Sequence, residues 1–112
     1  MVRVFSKEWF GITFSNTRAQ DDETLAFKFE QDRTTLTGSQ DKIWDEPSIF
    51  EFGKLNEFTI DFSNNSILFT NKKLFRSLVL HGMFEHFIFV GFSSESLATW
   101  IVLQSMILLK YL

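Results

Sequence analysis

The chain has 112 residues, 45% of them hydrophobic and 22% charged, with a net charge of −3 and no cysteine. That is the size and balance of one globular domain, residues 1–112, rather than of a disordered or multi-domain chain. The lack of cysteine excludes disulfides and thiolate chemistry, and an acidic chain without clustered Lys/Arg is a poor general nucleic-acid binder.

Charge is unevenly spread. Residues 1–62 hold 7 Lys+Arg against 12 Asp+Glu, whereas residues 63–112 hold 4 against 2. A basic partner would be steered toward the N-terminal half. Fifteen phenylalanines and three tryptophans supply the core material, since each buried aromatic removes roughly 150–250 Å² from water.

Residues 1–10 interleave Arg3, Lys7 and Glu8 with apolar residues. They lack the uninterrupted apolar core of a signal peptide, so a cytoplasmic location is expected. Phe10, Ile12 and Phe14 then alternate with Gly11 and Thr13, and Leu25, Phe27 and Phe29 with Ala26, Lys28 and Glu30. Farther on, Phe58, Ile60 and Phe62 alternate with Glu57, Thr59 and Asp61. A period of two predicts half-buried antiparallel strands. Residues 34–37, 49–52 and 67–70 are shorter strand candidates. The polar stretches 16–23 and 38–47 read as loops, the second carrying Trp44 beside Asp45 and Glu46.

Ser63-Asn64-Asn65-Ser66 reads as a tight turn, because asparagine tolerates the left-handed conformation. His81-Gly82, between apolar runs at 74–80 and 86–92, reads as a second hairpin. The last element reads as a helix. Ser93 or Ser94 would cap it and Glu95 would suit its positive end. Leu97, Trp100, Ile101 and Leu108 would form one face, while Val102, Leu103, Met106, Ile107 and Leu109 continue around it. An over-apolar helix of this kind predicts burial on a second side. The expected cover is a second copy, in a homodimer through Leu103 and Ile107, a partner protein, or the chain's own residues 1–5.

The order of several short strands followed by one helix resembles the pleckstrin-homology (PH) superfold. His86-Phe87-Ile88-Phe89-Val90-Gly91-Phe92-Ser93-Ser94-Glu95-Ser96-Leu97-Ala98-Thr99-Trp100-Ile101 looks like a PH domain's last strand running into its helix, with Trp100 resembling the helix tryptophan that packs on the sheet. Ile67-Leu68-Phe69-Thr70-Asn71-Lys72-Lys73-Leu74 is similar to a strand of bacterial PH-like and GRAM domains. The resemblance implies a mostly β, α+β fold, with about seven antiparallel strands in a sandwich or barrel and one C-terminal α-helix. Phosphoinositide-binding PH domains carry cations in the first hairpin. Here that loop sets Arg18 against Asp21, Asp22 and Glu23, so lipid binding is not implied.

Catalytic patterns are missing from the sequence. His81 and His86 lack the further Cys or His that zinc spacing requires. The acidic runs lie in polar loops that would not raise a carboxyl pKa for acid–base work. No nucleophile elbow, phosphate loop or dinucleotide fingerprint occurs. Lys72, Lys73 and Arg76 read as a charged strand edge that resists aggregation. The expectation is a non-catalytic protein-interaction module without a cofactor, acting through an acidic face, a strand edge or the apolar C-terminal helix. Its partner is another protein, a basic one if the acidic face is used, and neither a nucleic acid nor a membrane. Candidate contact residues are Asp21, Asp22, Glu23, Trp44, Asp45, Glu46, Leu103 and Ile107. The alternative is a small inhibitor or immunity-type protein that neutralises a toxin or nuclease by direct binding.

Overall fold

The computed structural model describes residues 1–15, 24–63, 65–82, 89–94 and 99–102. These form ten strands: β1 (Val2–Phe5), β2 (Trp9–Ser15), β3 (Thr24–Glu30), β4 (Thr34–Gly38), β5 (Lys42–Trp44), β6 (Leu55–Ser63), β7 (Ser66–Asn71), β8 (Arg76–His81), β9 (Phe89–Ser94) and β10 (Thr99–Val102). One antiparallel sheet runs β10-β1-β6-β7-β8 and the other β5-β4-β3-β2-β9. The chain is mostly β, as its alternation predicts.

The alternating phenylalanines become the filling between the two sheets. Phe10, Phe14, Phe27 and Phe29 on one sheet and Phe58 and Phe69 on the other are fully buried. Rings meet across the sandwich: Phe27 and Phe69 lie 4.8 Å apart edge to face, Phe29 and Phe69 5.3 Å, and Phe14 and Phe62 5.2 Å. Such tilted pairs favour the ring quadrupoles and add about 0.5–1.5 kcal/mol each beyond the area they bury.

Turn chemistry holds at two places. Ser63 pairs with Ser66, closing the β6–β7 hairpin where the Ser-Asn-Asn-Ser turn was expected. At the end of β4, Gly38 has φ 110°, and a side chain there would strike the Thr24 carbonyl. Only glycine fits both demands.

Several expectations are corrected. Residues 49–52 are not a strand. Ile49 and Phe50 are buried as a plug, with the Phe50 ring 4.8 Å from Phe10, 4.9 Å from Phe29 and 4.8 Å from Phe58. Side chains take over the hydrogen bonding that a ladder would have given. The Ser48 hydroxyl accepts from the Phe50 N–H at 3.1 Å, and the Asn56 carboxamide bonds both the N–H and the carbonyl of Glu51, at 2.9 and 2.7 Å. Residues 38–47 are not all loop either, since Lys42–Trp44 pairs with β4. His81-Gly82 does not close a hairpin: β8 pairs with β7 in one sheet, and β9 pairs with β2 in the other.

The C-terminal helix is corrected over its described part. Ser93 and Ser94, expected as its caps, end β9 opposite Gly11 and Phe10. Trp100 and Ile101, expected on its buried face, belong to β10, paired with Val4 and Arg3. Thr99, Trp100, Ile101 and Val102 are β-branched or aromatic, which suits a pleated sheet better than a helix. Strand β1 supplies the partner, lying between β6 and β10 with Val2 and Val4 in the core. Residues 103–112, including Leu103 and Ile107, lie outside the described residues.

Candidate interaction surfaces

The β7–β8 connection is the most unusual surface feature. Asn71 ends β7 and is almost completely buried. Its amide nitrogen donates to the Ile49 carbonyl at 2.9 Å, and its oxygen accepts the Leu74 N–H at 3.3 Å. At the other end of the turn, Arg76 Nη1 donates to the Ser48 carbonyl at 3.1 Å. Both flanks of the turn are therefore tied to the plug of residues 48–50. Between them Phe75 stands 93% exposed, with φ 55°. A bulky residue in the left-handed region costs roughly 1–2 kcal/mol, and burial does not offset it. Lys72 and Lys73 are exposed beside it.

A second surface is the outer face of the β5-β4-β3-β2-β9 sheet. Small residues pave it: Gly11, Thr13, Ala26, Thr35 and Ser93 line an open groove of about 390 Å³. A side chain at position 11 would come within 2.6 Å of Ser93 Oγ and 3.1 Å of the Phe27 carbonyl, so the Ser93 hydroxyl would have to turn away to admit one. Trp9 borders the groove, with the Lys28 ammonium 5.0 Å from its ring centroid. This cation–π contact places the ammonium over a half-buried ring.

Trp44 is half-buried at the end of β5. Its ring stacks on Phe27 at 6.2 Å, and Lys42 Nζ sits 4.8 Å above it. Asp45 and Glu46 follow it and are exposed. Trp44 is thus part of the sandwich wall as well as a surface residue. The structure keeps Trp44, Asp45 and Glu46 together at one sheet edge, whereas Asp21, Asp22 and Glu23 lie outside the described residues.

Phe75, Trp9 and Lys28 were not singled out by the sequence reading. Phe75 falls inside an apolar run that reads as the start of a strand, and only its positive φ reveals it as a turn residue. Among the described residues, no group of three or more His, Asp or Glu is arranged to hold a metal ion, and no helix is long and apolar enough to cross a membrane. Compared with family models, curated proteins and solved structures, the chain matches none of them.

Proposed function

We propose that this chain is a non-catalytic protein-binding module that engages its partner through the β7–β8 turn. The carrying observation is Phe75, a large apolar side chain at once exposed and strained. Strained residues persist where the surrounding structure fixes them, and they concentrate at functional sites. Here the Asn71 and Arg76 hydrogen bonds do the fixing. A rigid projecting aromatic loses little freedom on binding, which is the property of an interface anchor. Lys72 and Lys73 beside it complement an acidic rim around an apolar pocket.

This modifies the expectation of a basic partner. The acidic residues of the N-terminal half offer a second contact, with Asp45 and Glu46 displayed beside Trp44. The test is affinity capture from the source organism with the wild type and Phe75→Gly side by side, followed by titration of the recovered protein. The reading expects a partner whose affinity for Phe75→Gly falls at least tenfold, the loss of about 1.4 kcal/mol from one anchor. Equal affinity for both proteins would remove the turn from the interface.

A further inference from the structure

The two sheets have edges of different character. Strand β5 ends its sheet and is short, with Lys42 in it, Asp41 before it and Asp45 after it. Charges and shortness are standard protection against unwanted strand pairing. Strand β8 ends the other sheet. Lys72 and Lys73, which the sequence places as edge guards, sit in the turn instead, and Arg76 occupies the first position of the strand. The stretch Ser77-Leu78-Val79-Leu80 contains neither charge nor proline. Among the described residues, no strand covers this edge.

The ladder phase shows which backbone groups face outward. The Gly82 N–H donates to the Asn65 carbonyl at 2.9 Å. In antiparallel pairing, hydrogen-bonded and non-bonded pairs alternate. Leu80 and Leu78, opposite Ile67 and Phe69, therefore bond to β7. Ser77, Val79 and His81 turn their N–H and C=O groups away from β7, and no described strand lies on that side. Val79 also exposes 37% of its surface on the outer face of the sheet, while Leu78 and Leu80 face the core.

We infer that β8 pairs antiparallel with β8 of a second copy of this chain, about a two-fold axis through Val79. The order of residues fits self-pairing. With Val79 opposite Val79, Ser77 falls opposite His81 and Arg76 opposite Gly82, so no charge faces a like charge across the strands. The backbone groups that point outward are those such a pair would bond. An isologous contact closes on itself and leaves no further free β8 edge. One strand pair buries less than a standard interface, so the association is weak, with a dissociation constant on the order of micromolar to tens of micromolar.

The test is sedimentation velocity over a concentration series, with hydrogen exchange at its two ends. The wild type should pass from monomer to dimer, and the Val79 amide should gain protection with concentration while the Leu80 amide, already bonded to β7, should not. Val79→Pro removes an N–H that β7 does not use, at an edge position where proline is tolerated. It should stay folded, with an unchanged circular dichroism spectrum, and remain monomeric. Val79→Lys, which keeps the N–H but sets two ammonium groups together at the axis, should weaken the dimer at least tenfold and recover in high salt. A wild type that is monomeric at about 0.5 mM, well above such dissociation constants, overturns the inference. So does a dimer that survives both substitutions.

Discussion

Asn71 donates its side-chain amide to the Ile49 carbonyl at 2.9 Å, joining the end of β7 to the aromatic plug. The same side chain accepts the Leu74 N–H, so one buried residue orders both the plug and the exposed turn. Asn71→Ala leaves the Ile49 carbonyl without this donor and should cost roughly 1–3 kcal/mol. Urea denaturation should show the loss as a lower midpoint with little change in slope. Hydrogen exchange should also report faster opening of residues 72–75.

Phe75 inverts the usual relation between truncation and stability. Phe75→Gly removes almost no buried area and replaces a left-handed phenylalanine with the residue that adopts this conformation most readily. The added flexibility of the unfolded chain offsets part of the gain, leaving an expected change between zero and about 1 kcal/mol in favour of folding. Thermal unfolding should show an equal or higher midpoint. A drop of several degrees would mean that Phe75 is held by packing the exposed position does not provide.

The plug carries the opposite expectation. Phe50 touches Phe10, Phe29 and Phe58, joining both sheets. Phe50→Ala should cost about 3–5 kcal/mol, a large share of a small domain's stability, while Phe50→Leu should recover much of it. Calorimetry on the two variants checks the order.

The contrast between Phe50 and Phe75 marks how far the sequence could be read. Strands β2, β3, β6 and β7 were legible because each has one face in the core and one outside, which writes itself as alternation. Residues 49–52 read as a short strand and not as a plug, since the backbone there is held by side chains, Asn56 on Glu51 and the more distant Asn71 on Ile49, rather than by a ladder. The pairing of Trp100 with Val4 was hidden for the same reason: an apolar run fits helix and strand alike until a neighbour such as β1 supplies hydrogen bonds. Trp44, Asp45 and Glu46 were singled out by their polar setting, and they lie at the end of β5 with both carboxylates exposed. The exposure of Phe75 was not legible, because backbone strain leaves no pattern in composition.

A bilayer is the other environment that receives an exposed aromatic beside two lysines, and it makes a different prediction. Insertion into anionic lipid gains about 1 kcal/mol for each Lys or Arg near the surface. Against this stand a chain net charge of −3 and the placement of a single strongly exposed aromatic at the tip, with Leu74 half-buried against the protein. Stable attachment by amphipathic or lipidated segments takes more apolar area than one ring provides. Vesicles of phosphatidylcholine with and without about one-third phosphatidylserine should therefore co-sediment equal, small amounts of protein, with no dependence on salt. Phe75→Gly and Lys72→Glu/Lys73→Glu should leave that background unchanged. Enrichment on the anionic vesicles that both variants abolish would reassign the turn from a protein pocket to a membrane surface.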